Sequence, residues 1–338
     1  MLLCGLFLGV LLGLQSRQTD KQVTGQYQLP DGAFFTALTR AIRHPARPSL
    51  YRSSLPDHVD AAPIPVAFDI VWIINESWGT PRLSFYGYSE ETMPFLSQWL
   101  AQETENFFLF RWAYTNSNSS DLSVPSLLTG VGPWESTRRL ARIPLIWDWA
   151  HAAGLNSFFV TPSSFRWANL SRFMLQNGPQ ESFSRHELGG QIVNSLGIDE
   201  LIATDKMVNL ITQTKADEHF LAVYYSNATH SPYQGDSSLL QQQPTTDHRY
   251  DRALFILDQA FSRIYSAIRT SGRLDTTVFL IASDHGQFDE QQRRISRVLD
   301  YCEEIFHTPL LIRVPPSWLE HYPERIQNLK VNVGLPRL

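Results

Sequence analysis

The chain has 338 residues, 43% of them apolar, and a formal net charge of −5. That is enough for one large α/β domain with a short appendage, or for two domains, and the charge gives no footing for nucleic acid. Two cysteines, Cys4 and Cys302, the first of them inside an N-terminal apolar run, argue against an internal disulfide.

Met1 to Leu14 is uncharged and nearly all apolar. As a helix it would span ~21 Å, against ~30 Å for a bilayer's hydrocarbon core. It reads as a signal-peptide core, a short membrane anchor, or the end of a longer transmembrane region, and membrane association is the reading we favour. Arg17 and Lys21 follow it and argue for a cytoplasmic C-terminal side. Residues 15–65 read as an interfacial segment and linker. Gly32 to His44 places Phe34, Phe35, Leu38 and Ile42 on one helical face, suited to a membrane surface or to packing on the main domain. Pro45, Pro48, Pro56, Pro63 and Pro65 then mark a linker, so the globular domain is expected over residues 66–338.

Val66 to Ile74 is an apolar run expected as a buried strand, stopping at Asn75-Glu76. A loop leads to a helix ending near Leu100, and Phe107 to Tyr114 is a second strand candidate. A helix is expected from about Asp121 to Gly130. Ile146 to Ala153 reads as a helix closed by Gly154, followed by a strand at Ser157 to Val160. Pro162 to Gly197 is polar and aromatic without a period and reads as loops. A helix at Asp199 to Thr214, a strand at His219 to Ser226 and a long amphipathic helix at Arg249 to Thr270 follow. Strands at Thr277 to Ala282 and Thr308 to Val314 complete the domain. Strand and helix alternate, which predicts a mostly parallel sheet covered on both faces.

Three stretches carry chemistry. Asn116 to Gly130 packs hydroxyls into a turn and then becomes apolar; alone, it is a polar loop with a Ser or Asp helix cap. Such a turn can also present a serine at a helix N-terminus, where an anion is favoured. Asn75-Glu76 and Ser283-Asp284-His285-Gly286 each end an apolar run, and open α/β sheets hold ligands at the carboxyl ends of their strands. Glu76, Asp284 and His285 would offer two carboxylates and an imidazole to a divalent metal, Zn first, with Mn, Mg or Ca as alternatives. A Ser hydroxyl on that metal would be a nucleophile near neutral pH, and His230 could hold the transferred group or protonate the leaving group.

These residues resemble the phosphoethanolamine transferases of the sulfatase and alkaline phosphatase superfamily. The likeness lies in Trp72-Ile-Ile-Asn-Glu-Ser-Trp and in the stretch from Phe85 to Leu96 with its Tyr-Gly-Tyr and Thr-x-Pro. It continues in Phe279-Leu-Ile-Ala-Ser-Asp-His-Gly-Gln, in the helix before it with Tyr250, Leu257 and Asp258, and in Thr308-Pro-Leu-Leu-Ile-Arg-Val. The resemblance implies an alkaline-phosphatase-like α/β fold and a metal-bound Ser or Thr nucleophile. Counting back from Ser123-Val124-Pro125, it puts Ser120 in the nucleophile's place, with Ser119 the alternative beside it. It implies metal binding by Glu76, Ser120, Asp284 and His285, and substrate contacts from His230, Asn75 and Ser119. A phospholipid donor, an envelope glycan or lipid acceptor, and a bacterial inner-membrane location with the domain facing the periplasm follow from the same resemblance.

Departures set the alternatives. A sulfatase needs Cys/Ser-x-Pro-x-Arg, and Leu127 stands where that Arg belongs. Phosphoglycerol transferases and phosphodiesterase-type hydrolases share the remaining pattern, and the departures that follow motivate a further alternative, an inactive envelope protein on the same fold. Between Gln287 and Phe306 there is no His, although the transferases usually carry one there, and His307 is the nearest substitute. The Asp-x-x-Pro-Thr segment that commonly closes the domain is lacking, which suggests a truncated or divergent member.

Overall fold

The computed structural model describes residues 52, 57, 59, 68–166, 171–194, 196–233, 248–287 and 303–333. The apolar segment Met1 to Leu14 and the expected helix at Gly32 to His44 lie outside the described residues. All described residues belong to one compact unit, Ser49–Leu338. Among them, no helix is long and apolar enough to cross a membrane.

Seven strands form one sheet: β1 (Asp69–Asn75), β2 (Phe107–Phe110), β3 (Asn156–Val160), β4 (Glu181–Phe183), β5 (Phe220–Tyr225), β6 (Thr277–Ser283) and β7 (Leu310–Arg313). Their order is β2-β7-β6-β1-β5-β3-β4. The pairs β1–β5, β1–β6, β3–β5 and β3–β4 are parallel, while β7 runs antiparallel to β6 and β2. The mostly parallel α/β sheet expected from the sequence is present. Among the described residues the longer helices are α1 (Pro94–Gln102), α2 (Ser120–Thr129), α3 (Ile146–Ala152), α4 (Glu200–Gln213), α5 (Arg249–Thr270) and the C-terminal helix α6 (Pro323–Asn332).

The period-two geometry of a strand splits its side chains between two cores. Val71 and Ile73 of β1 and Ala222 and Tyr224 of β5 join Leu96, Met207, Leu254 and Phe261 of α1, α4 and α5. Trp72, Ile74, Val223 and Tyr225 point to the other face and pack with Val124 and Leu128 of α2 and Trp147 of α3. Burial on both faces explains why β1 and β5 read as continuous apolar runs. A smaller core unites Phe108, Phe110 and Val314 with Ile326 at the β2–β7 edge.

Buried polar groups fix the frame. At the start of β1, Asp69 accepts from Arg273 (3.1 Å) and from the backbone N–H of Phe220 (3.1 Å). Asp258 of α5 accepts from the N–H groups of Phe95 and Leu96 (2.8 and 2.9 Å), satisfying donors that the first turn of α1 cannot use internally. Two expectations change. Phe107 to Tyr114 is a strand only to Phe110, with Tyr114 making an isolated bridge to His307. Pro162 to Gly197 is not all loop: it supplies the edge strand β4 and short helices at Ser171–Met174 and Arg185–Leu188. At three or four residues, these pieces are too short to show a hydrophobic period.

Candidate metal centre

The register of the central strands builds the site. Ile74 lies beside Tyr225 on one side and Ala282 on the other, and Asn75 beside Ser283. Three parallel strands therefore end side by side, and the next residues of β1 and β6 are Glu76, Asp284 and His285. All three are buried, and one ligand atom from each lies within 4.8 Å of the others. Among the described residues this is the group of acidic and imidazole side chains able to hold a metal.

Ser120 arrives from a different direction. Ser119 takes an extended conformation (φ −147°, ψ 131°) and α2 begins at Ser120. The other hydroxyls of the stretch are absorbed by the helix: those of Ser123, Ser126 and Thr129 donate to carbonyls four residues back at 3.1, 2.9 and 2.7 Å. The hydroxyl of Ser119 bonds to Asp121. Ser120 instead faces the strand ends, where its Oγ donates to Oε2 of Glu76 at 2.9 Å and lies 3.2 Å from Nε2 of His285.

Each ligand candidate is held by a further set of donors. Ser77 sits in the left-handed region (φ 57°), strain of about 1 kcal/mol for a residue with a Cβ. That turn aims its N–H at Oδ1 of Asp284 (3.0 Å) and its hydroxyl at Oε1 of Glu76 (2.8 Å). The N–H of His285 also donates to Oδ1 of Asp284 (2.7 Å). Nδ1 of His285 lies 2.8 Å from the carbonyl of Gly286, an acceptor, so Nδ1 carries the proton and the lone pair of Nε2 faces the carboxylates. A Cβ on Gly286 would stand 2.1 Å from the carbonyl of Glu304, which is why glycine follows the histidine. The phenol of Tyr225 donates to Glu76 and lies 3.0 Å from Oδ2 of Asp284.

The electrostatics are those of a site with surplus buried negative charge. Burial and the neighbouring Glu76 push Asp284 above the ordinary carboxylate range. Burial also acts to raise Glu76, but His285 and His230, when protonated, and hydrogen bonds from Tyr225 and Ser77 outweigh it and hold the group below the ordinary carboxylate range. Burial, with both carboxylates, raises Tyr225 well above the ordinary phenol value. Two carboxylates, a correctly protonated imidazole and a serine hydroxyl form a donor set that fits a divalent cation, Zn or a harder ion, and such a cation would neutralise the excess charge.

The remaining expected residues are placed as follows. His230 closes the segment after β5, with Nδ1 2.7 Å from the carbonyl of Ser231, and lies near enough to Glu76 to act on it electrostatically. Asn75 turns into the sheet: its amide donates to the carbonyl of Ala282 (3.0 Å) and its oxygen accepts from Ser226 (3.1 Å). His307 stacks on Trp112 and Tyr114, with Nε2 2.8 Å from the carbonyl of Arg111, and is not in the metal-binding group. Ser77 and Tyr225 were not legible as site residues. Tyr225 carries one available signal, a hydroxyl on the last residue of a buried strand.

Comparison with known proteins agrees with this architecture. The Sulfatase family model matches residues 69–332. No curated protein sequence matches the chain. The C-terminal periplasmic domain of EcEptC from Escherichia coli in complex with Zn superposes with a TM-score of 0.65 at 18% identity, covering 80% of this chain and 79% of that one. The soluble domain of lipooligosaccharide phosphoethanolamine transferase A from Neisseria meningitidis gives 0.64 at 15% identity, covering 84% and 90%. Lipoteichoic acid synthase LtaP from Listeria monocytogenes gives 0.60 at 15%, covering 83% and 71%. At these identities the likeness is one of fold, the alkaline-phosphatase-like fold that the motifs led us to expect. With the family model spanning β1 to the C-terminal helix, the chain belongs to the Sulfatase family of enzymes.

Proposed function

We propose that the chain is a metal-dependent transferase that moves phosphoethanolamine, or a related phosphoryl-alcohol group, from a phospholipid to a cell-envelope lipid or glycan. The observation that carries this reading is the convergence of Ser120 on Glu76 and His285 at 2.9 and 3.2 Å. The structural neighbours named as phosphoethanolamine transferases support it, as does Leu127 where a sulfatase would need Arg. The periplasmic and integral-membrane descriptions of those neighbours support an envelope location, with residues 66–338 as the catalytic domain.

Glu76, Asp284, His285 and Ser120 would hold the cation, which when bound lowers the pKa of a neighbouring hydroxyl and offsets charge at phosphorus. The protein's own groups do the rest. Oγ of Ser120, aimed by its hydrogen bond to Glu76, gives up its proton to solvent and attacks phosphorus. The Ser–O–P bond forms as the P–O bond to the lipid alcohol breaks, and His230 supplies the proton that the leaving alkoxide needs. An acceptor hydroxyl then gives its proton to His230, which restores that side chain, and attacks phosphorus from the side that the alcohol left, while Ser120 departs as its alkoxide and takes a proton from solvent. Burial of Glu76, Ser120, Asp284 and His285 takes these interactions out of bulk water and strengthens each of them.

The test is metal content and phosphodiester cleavage in Glu76→Ala and Asp284→Ala. The proposal expects the parent chain to bind about one Zn or Mn, and both variants to lose metal and activity together. Unchanged metal and activity in both would overturn it. A phosphoglycerol donor would use the same centre, so phosphatidylethanolamine and phosphatidylglycerol are compared in the same assay.

A further inference from the structure

We propose that Tyr225 is the positioning residue of the metal centre, its phenol holding the carboxylates of Glu76 and Asp284 turned toward a common point. This rests on the metal-centre reading above and adds a residue to it. The phenol donates to Oε2 of Glu76 and lies 3.0 Å from Oδ2 of Asp284. Each of these carboxylates has its other oxygen tied elsewhere, Oε1 of Glu76 by the Ser77 hydroxyl and Oδ1 of Asp284 by the N–H groups of Ser77 and His285. Tyr225 thus ties the remaining oxygen of each carboxylate, Oε2 of Glu76 also accepting from the Ser120 hydroxyl. A single O–H shared between two carboxylates keeps each at hydrogen-bond distance from one oxygen atom, and so keeps them close to one another.

The phenol can do this because its own position is over-determined. Tyr225 is the last residue of β5, in register with Ile74 of β1, and its ring packs with Trp72, Ile74 and Val124. A donor carried on a central strand and wedged in a core has little freedom to drift. Hydrogen bonds to metal-ligating groups orient them, and their loss commonly weakens metal binding about 10–100-fold.

Tyr224 provides the internal comparison. It sits one residue earlier on the same strand, points to the opposite face, and bonds through its phenol to Glu200 (2.7 Å) and Thr204 (2.9 Å). The experiment titrates Zn alone into the parent chain, Tyr225→Phe and Tyr224→Phe by calorimetry, with thermal unfolding of the metal-free proteins alongside. Tyr225→Phe should raise the Zn dissociation constant about 10–100-fold. Tyr224→Phe should lower the unfolding temperature and leave Zn affinity within about twofold of the parent. Zn addition to the parent should also perturb a near-UV tyrosine signal that persists in Tyr224→Phe, a readout that does not depend on the Tyr225 variant folding. Parent-like affinity in Tyr225→Phe, or no tyrosine perturbation in the parent on binding Zn, overturns the proposal. A parent chain that takes up no Zn sinks the metal reading and this one together.

Discussion

The hydroxyl of Ser120 donates to Oε2 of Glu76 at 2.9 Å, joining the first residue of α2 to the residue just past β1 across 44 positions of sequence. The neighbouring Ser119 has the same side chain and a different fate, because its hydroxyl is committed to Asp121. Ser120→Ala should therefore reduce turnover by on the order of 10³-fold or more, as loss of a nucleophile does. Ser119→Ala should stay within about tenfold of the parent, since Ser119 makes no side-chain cap bond to the helix. Steady-state turnover of a phosphodiester checks both, and a reversed order would move the nucleophile to Ser119.

Glu200 opens α4 and reaches under the segment that carries His230. Its carboxylate accepts from the phenol of Tyr224 at 2.7 Å and from the N–H of Asn227 at 2.9 Å. Burial pushes its pKa up to about 7 despite those donors. Glu200→Gln replaces one acceptor oxygen with an NH2, so one of these donors loses its partner. Turnover should fall about tenfold while metal content, set by other residues, is unchanged. Turnover and elemental analysis on the same preparation check this; loss of metal would place Glu200 in the centre itself.

Asp258 lies away from the metal centre and gives a pH prediction. Burial raises its pKa from the ordinary 3.8 to about 7, with Glu91 adding to the effect and the Phe95 and Leu96 N–H groups opposing it. Between those values the folded chain keeps a proton that the unfolded chain has lost. The folded state thus binds more protons, and this group's contribution to stability declines as pH rises through that window. Asp258→Asn should flatten the fall in stability between about pH 4 and pH 7. Urea unfolding at a series of pH values measures it, and an unchanged slope would contradict the assignment.

Asp69 tests whether the two ends of β1 are separable. It is buried and pairs with Arg273 at 3.1 Å, and Arg273 also donates to the carbonyls of Glu218 and Lys215 at 3.0 and 2.5 Å. Asp69→Ala leaves a guanidinium buried without its carboxylate, a change that costs about 3–5 kcal/mol. The metal centre lies at the strand's other end, so Zn affinity of the folded fraction should be retained. Denaturant unfolding and Zn titration together check the separation; joint loss would contradict it.

How much of this was legible varied with the physics of each element. Glu76, Asp284 and His285 could be read because buried parallel strands are apolar runs and their ends are marked by the first polar residue. Ser120 could be read only through the register of Ser123-Val124-Pro125, since five serines crowd residues 117–126. The structure distinguishes them by where each hydroxyl bonds, and sequence holds no such information. Tyr225 was hidden inside an apolar run, because a tyrosine there is as well suited to core packing as to a site. Ser77 was hidden because its role depends on a left-handed backbone. Asn75 was expected at the substrate, yet its carboxamide joins β1 to β6 and β5, a choice set by strand order that no local pattern reveals.

Mass spectrometry of the metal-loaded chain after incubation with a headgroup-labelled phospholipid tests the central claim most directly. A labelled phosphoryl-alcohol adduct is expected on Ser120, lost on adding an acceptor and lacking in Ser120→Ala and Glu76→Ala. A metal-loaded protein that turns over the lipid with no adduct on Ser120, or with the adduct on another residue, would contradict it.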